Sequence, residues 1–512
     1  MAQAQVDPAL ELVTNIADFI WAGTWGGDAI LSIAGEPFPP MAIILLGGGL
    51  FMMARLKFYP IVNLGAAIAG LFKSRKGEGE GEISPFAALS TALSGQVGTG
   101  NLAGVASAIA LGGPGAVFWM WITALIGMAL AFSEGALAIR YREKTSEGAY
   151  RGGPMSYIML GLGPKWTWLA VVFCIVLLFS ALVTGNAIQA NAVADGLKGL
   201  FGVTEIVGGA IVAIAVFVVI IGGIKSIGSV AEKVIPFMAG LYIILAITVL
   251  AINAAALPDT LSLIFYSAFN PSAAAGGFAG ALMILAIRAG VARGLFSNEA
   301  GQGSTPIAHA VAQTNDPEQQ GQMAMLGTFI DTIVVCTMTA LVILTVQGSF
   351  VVGGTENSTE VVAYSWQTNM EPFAMTAGSF GTALPFEIGG IPLGSLIVSL
   401  VLILFVFTTL LTWSYYGERA ITFLYARLPG SSEKGEKALH LGWRVTWCLV
   451  IVAGASQASD FVWRLGDIAN AAMTLPNLLA LLLLSGVVVK LAGGERKAGT
   501  EHSASGKAEP AE

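Results

Sequence analysis

Two glycine-rich stretches hold the side chains of this chain best suited to bind a small polar ligand. The first runs Ser94-Gly95-Gln96-Val97-Gly98-Thr99-Gly100-Asn101-Leu102-Ala103-Gly104. The second runs from Arg288 through Gly290, Arg293, Gly294, Phe296, Ser297, Asn298, Glu299, Gly301, Gln302 and Gly303 to Ser304. A Gly in a helix interior costs about 1 kcal/mol against Ala. Both stretches mix Gly with Asn, Gln, Ser or Thr inside long apolar tracts, so each predicts a helix that breaks at membrane depth. Unwound backbone is tolerated there only where protein or an aqueous cavity satisfies it. A break exposes N–H groups at the start of one half-helix, which favour a carboxylate, and carbonyls at the end of the other, which favour a cation. An amino acid zwitterion with Na⁺ matches that pair of ends.

Residue by residue, the first break offers Gln96, Thr99 and Asn101, either facing substrate and Na⁺ or capping the exposed helix ends. The N–H groups of Thr99, Gly100 and Asn101 would take the carboxylate, and carbonyls around Gly95 and Gly98 the sodium. Gln189, with Asn186 nearby, either closes the pocket or hydrogen-bonds between helices. In the second break, Phe296 would cap the pocket, with Ser297 and Asn298 beside it and nearby carbonyls accepting the ammonium. Glu299 would pair with Arg288 or Arg293, as a gate or as a static ion pair, because an unpaired charge in the membrane is expensive. Asp331, about nine residues into its span, is either a sodium or pocket ligand or a partner for one of those arginines. Glu134, Asp460, Arg464 and Asp467 fall near span ends, where reaching to the interface accounts for them. Cys174, Cys336 and Cys448 read as small apolar packers.

The elements that must position these groups follow from composition. Charged residues are 11% of the 512, against about 25% in globular proteins, and hydrophobic residues are 55%. Mean hydropathy is +0.75, and Gly supplies 64 residues, which fits closely packed transmembrane helices. The net charge of −7 makes nucleic acid an unfit partner. Scattered Cys and His, and the lack of C-x-x-C, H-E-x-x-H or a phosphate-binding loop, leave metal hydrolase and ATPase chemistry unsupported. No nucleophile–base constellation is visible, so the chain does not read as an enzyme. Aspartate and glutamate ahead of the first apolar stretch, without a basic residue, are the wrong sign for a signal peptide.

A helix crosses the hydrocarbon in about 20 apolar residues. Eleven spans are expected at about 39–55, 87–110, 115–139, 166–192, 206–224, 234–256, 278–311, 322–347, 392–424, 441–457 and 460–490. Residues 8–33 read as an amphipathic surface segment anchored by Trp21 and Trp25. Alternating the spans places 21 of the 25 basic residues on one side, which makes that side cytoplasmic, with the N-terminus outside and the C-terminus inside. Four sections result: 1–86 with the surface segment, an extra span and a cytoplasmic loop; two five-helix repeats at 87–256 and 278–491; and a disordered cytoplasmic tail at 492–512. A broken helix opens each repeat, the mark of a secondary transporter with an inverted repeat. A channel would need polar stripes on several helices, whereas polarity here concentrates at two breaks.

The run GTGNLAGVASAIALGGPGAVFWMW, the RGGPMSY stretch at Arg151–Tyr157 and RGLFSNEAGQGSTPIAHA at Arg293–Ala310 closely resemble the alanine/glycine:cation symporter family, from about Ser84 to Leu491. That resemblance implies an all-α polytopic protein of the leucine-transporter-type five-plus-five fold, here with one extra N-terminal span and eleven transmembrane helices. It implies sodium-coupled uptake of small neutral amino acids, chiefly alanine and glycine, across a prokaryotic cytoplasmic (inner) membrane. Na⁺ is the coupling ion, no organic cofactor is expected, and no obligate protein partner is evident beyond lipid. Proton coupling is the alternative, against which sparse His and few buried carboxylates argue. In the resembling sodium symporters, adjacent Ser/Thr on the eighth core helix complete the ion shell, which implies that role for Thr408 and Thr409. Thr hydroxyls bonded to their own helix would be the plainer arrangement.

Overall fold

The computed structural model describes residues 7–33, 36–145, 148–270, 279–352, 359–368, 370–457 and 459–493. The tail expected to be disordered falls almost wholly outside them. Among the described residues helices dominate, and six are long and apolar enough to cross a membrane: Gly115–Arg140, Pro164–Phe201, Gly223–Ile252, Pro317–Thr345, Leu393–Tyr425 and Asp460–Leu483. Shorter apolar helices occupy Pro40–Arg55, Gly100–Gly112 and Glu205–Ile220, where further spans are expected. Among the described residues five short antiparallel strand pairs lie in the connections, the longest joining Gln347–Val352 to Thr359–Tyr364 with Gln347 opposite Tyr364. Two more stretches, which fall between the expected spans, are helical: Leu257–Phe269 and Pro372–Ala383.

Helix starts follow local chemistry. Proline occupies the first turn of Pro8–Ala22, Pro40–Arg55, Pro85–Gln96 and Pro372–Ala383, where its missing N–H leaves no helical bond unmade. Ser84 Oγ accepts from the Ala87 N–H at 3.0 Å, and Asp316 Oδ1 from the Gln319 N–H at 3.2 Å. Small residues then set the packing. Gly115–Arg140 and the helix from Pro317 make the most extensive helix contact. A Cβ on Gly135 would come within 2.7 Å of Ala324 Cβ, and one on Gly321 within 2.8 Å of the Phe132 ring. Those glycines let the two backbones approach closely. Elsewhere apolar side chains face outward, as on Glu205–Ile220, where Ile206, Ile211, Ile214 and Val218 are exposed. Such a surface suits lipid and not water.

The N-terminal segment departs from expectation. Pro8–Ala22 is a helix, but Trp21 is only 2% exposed and donates from Nε1 to Asp467 O at 3.0 Å. It is docked into the protein; Trp25 alone of the two tryptophans is exposed.

Candidate functional site

The first broken helix runs Pro85–Gln96, leaves helical geometry at Val97, re-enters through a wide turn at Gly100–Gly104 and continues as Val105–Gly112. Glycine is needed at two points by close approach. A Cβ on Gly98 would lie 2.6 Å from Thr409 Oγ1, and one on Gly100 would lie 2.9 Å from the Phe296 ring. Most polar groups of the break are engaged, though the buried Gln96 Oε1 has no hydrogen-bond partner. The Gly98 N–H donates to Asn101 Oδ1 at 2.8 Å, and the Asn101 N–H to Gly98 O at 3.3 Å. Gln189 Oε1 accepts from the Thr99 N–H at 3.2 Å and from Thr99 Oγ1 at 2.7 Å. The Thr99 donors expected to take a carboxylate are thus occupied by the Gln189 oxygen. Asn186 instead donates to Trp447 O at 2.9 Å and ties helices together.

The second broken helix runs Ala279–Asn298 and resumes briefly at Pro306–His309. Between them Glu299 (φ +55°), Gly301 (φ +85°) and Gly303 (φ +86°) take left-handed backbone, a strained conformation for glutamate. Gln96 Nε2 donates to Asn298 O at 2.6 Å, joining the two breaks directly. Asp331 joins them again. Its Oδ1 accepts from Asn101 Nδ2 at 2.6 Å, and its Oδ2 from Ser297 Oγ at 2.8 Å and Thr332 Oγ1 at 2.7 Å. Asp331 is fully buried on a wide-turned stretch, Phe329–Cys336, and no arginine is among these partners. The expected pairing with an arginine does not form; Asp331 instead hydrogen-bonds residues of both breaks. Cys336, read as a packer, touches the same cluster, with Sγ 3.2 Å from Ser297 Oγ.

The expected pairing of Glu299 with Arg288 or Arg293 is not what forms. Glu299 accepts from Ser304 Oγ at 2.5 Å and Trp413 Nε1 at 2.9 Å, with its Oε1 3.4 Å from where a Gly95 Cβ would stand. Arg293 forks onto Asp467 at 2.6 and 3.2 Å, and Arg288 reaches Asp18 at 2.5 Å. The reason is direction: both arginines precede the break on Ala279–Asn298 and reach Asp18 and Asp467, while Glu299, past it, turns toward Gly95. Thr409 and Thr408 also part company. Thr409 Oγ1 lies 3.3 Å from Val97 O and 3.0 Å from Phe405 O. Thr408 Oγ1 bonds Phe405 O at 2.9 Å and faces Met238. Adjacent residues on a helix point about 100° apart, so one threonine of the pair reaches the break.

Sequence reasoning missed Glu134, placed near a span end. It is 0% exposed and accepts from the N–H groups of Gly303 at 2.8 Å and Gly301 at 3.2 Å, and from Asn477 Nδ2 at 2.7 Å. Asn477 also donates to Gly301 O at 2.9 Å and accepts from the Tyr157 hydroxyl of the RGGPMSY stretch. One carboxylate thus holds the unwound backbone of the second break. The available signal was depth: six residues at 1.5 Å put Glu134 about 9 Å along the axis from Arg140, beyond the reach of a glutamate to the interface. Asp467 and Arg464, also read as interfacial, are partners in ion pairs. Among the described residues no group of three or more His, Cys, Asp or Glu is placed to hold a metal ion.

A family model described as the sodium:alanine symporter family matches residues 29–503. The chain belongs to that family. It is a transporter by family and fold, not an enzyme. The sodium/alanine symporter AgcS of Methanococcus maripaludis is 42% identical over 483 residues, covering 94% of this chain and 96% of the relative. The amino-acid carrier protein AlsT of Bacillus subtilis is 35% identical, over 88% of this chain and 87% of its own. Among solved structures, a manganese transporter of Eremococcus coleocola superposes with a TM-score of 0.50 at 14% identity, covering 80% of each chain. That likeness is of fold alone, the leucine-transporter type. As a family member the chain is a multi-pass membrane protein that carries amino acids by symport.

Proposed function

We propose that this symporter couples Na⁺ to the import of small neutral amino acids, alanine or glycine, across the inner membrane. Its eleven spans would form two inverted five-helix repeats behind one extra N-terminal span, with the N-terminus outside. The observation that carries the reading is the meeting of both broken helices on Asp331, through Asn101 from one and Ser297 from the other. A site shared by two half-helix pairs can feel both move. One cation would sit where Val97 O and Thr409 Oγ1 face each other, and another among the Asp331, Asn101 and Ser297 oxygens. The substrate carboxylate would lie on the Thr99 and Gly100 N–H groups, beneath Phe296. Gln189 sits against Gly98 and Thr99, and Phe296 against Gly100, close packing that favours a small substrate. Sodium binding would favour the open, substrate-ready state, and one bundle would then rock against the other.

Proton coupling is the second reading, and it has an observation of its own. Glu134, Glu299 and Asp331 are all buried, and each is held by neutral donors. That is more buried carboxylate than the sequence led us to expect. Concentrative alanine uptake into proteoliposomes separates the two. An inward sodium gradient at matched pH should drive accumulation; accumulation driven by a proton gradient without sodium would contradict the sodium reading.

A further inference from the structure

A chain of contacts runs from the N-terminal helix Pro8–Ala22 to the second break. Asp18 Oδ1 accepts from Arg288 at 2.5 Å and from Arg464 at 3.2 Å. One carboxylate therefore holds an arginine from each of two helices, Ala279–Asn298 and Ser459–Leu483. Three residues on, Trp21 Nε1 donates to Asp467 O at 3.0 Å, and the Asp467 carboxylate takes the Arg293 fork. The Arg293 guanidinium stands 4.8 Å over the Trp463 ring, and Trp463 packs on Phe296 with centroids 4.9 Å apart. Phe296 is buried with Ile188 and Val462, against Gly100 of the first break.

Of the two helices that Asp18 bridges, one carries Phe296 and the other packs Trp463 and Val462 against it. Separating them must break the Asp18 bridge or stretch the Arg293–Asp467 fork. The bridge is only partly covered, with Asp18 27% and Arg288 23% exposed, so water can compete for it. Trp21, by contrast, is sealed. We propose that the N-terminal helix is a working part of the gate over the pocket, with Asp18 and Trp21 as positioning residues that hold it closed. This rests on the reading of Phe296 as the pocket's cap. A helix merely resting on the surface would be indifferent to the state of that cap.

The test is the alkylation rate of a Val462→Cys reporter by N-ethylmaleimide, on full-length protein in nanodiscs, read by mass spectrometry of the labelled peptide. Asp18→Asn should raise the rate at least threefold, Trp21→Phe should raise it less, and Asp18→Glu should leave it near the parent. In uptake, Asp18→Asn should lower the sodium concentration for half-maximal rate at least threefold without raising the maximal rate. Asp7→Ala, which removes the cap at the far end of the same helix, should not change labelling. If Asp18→Asn fails to insert, Trp21→Phe, which keeps an aromatic ring of smaller size and loses one hydrogen bond, carries the test. Labelling within 1.5-fold of the parent in the inserted variants would overturn the proposal. So would an equal rise in Asp7→Ala, which would reduce the effect to helix attachment. Labelling requires neither sodium nor alanine, so a parent that moves no alanine would count against the transport reading and leave this one standing.

Discussion

At the residue scale, Thr408 and Thr409 look equivalent in sequence and are not equivalent in space. Thr409 faces the Val97 carbonyl; Thr408 faces Met238. Thr409→Val should therefore shift the sodium activation curve of uptake at least tenfold, about 1.4 kcal/mol, while Thr408→Val should shift it less than twofold. Equal shifts would remove Thr409 from the ion's shell. Glu134→Gln tests the clamp on the second break. A glutamine cannot accept both glycine N–H groups with the strength of a carboxylate, and hydrogen bonds to a charged group contribute about 1.5–3 kcal/mol each. Uptake should fall at least tenfold and the thermal unfolding midpoint should drop; wild-type values for both would show that the clamp is idle. Much of the site was legible at this scale. Asn101, Ser297 and Asp331 stand out as polar groups in apolar tracts, and the structure gathers all three. What sequence could not supply was partner choice. Nothing in one chain says that Arg293 faces Asp467 on the last long helix and not Glu299 six residues away.

At the element scale, the two breaks were legible because Gly and small polar residues have no reason to cluster in a lipid-facing helix. Their closeness was not, since it depends on how helices cross. Gly100→Leu puts a bulky side chain where a Cβ alone would already lie 2.9 Å from the Phe296 ring. It should abolish uptake in protein that still inserts and purifies as a single species, and near-normal transport would mean the first break is not the site. The connecting elements were harder to read. Leu257–Phe269 carries Asp259 in its first turn, between two uncharged runs, but no charge marks its far end. Gln347–Val352 continues the apolar run of the preceding helix, and composition does not reveal where helix gives way to strand. The surface helix Pro8–Ala22 was recognised as amphipathic, but its apolar face is covered by protein through Trp21. Amphipathicity reports that a face is covered, not by what.

At the scale of the whole molecule, the Lys/Arg census predicts the orientation. Cysteines placed at Gly79 and Ser431, in a chain without its own three, should react with an impermeant thiol reagent from the cytoplasm only. One placed at Asn357, which lies outside the described residues, should react from outside. Labelling of residue 79 in intact cells would invert the topology. The central claim is that one site, built from both broken helices, ties the movement of an amino acid to that of sodium. Coupling of this kind is reciprocal, because each ligand alters the protein's affinity for the other. The most direct measurement is therefore the flux of radioactive sodium into sealed proteoliposomes, with and without external alanine, for the wild-type protein and for Asp331→Asn. Alanine should accelerate sodium entry several-fold in the wild type and should no longer do so in Asp331→Asn. Sodium entry indifferent to alanine in the wild type, or full coupling in the variant, would contradict the account.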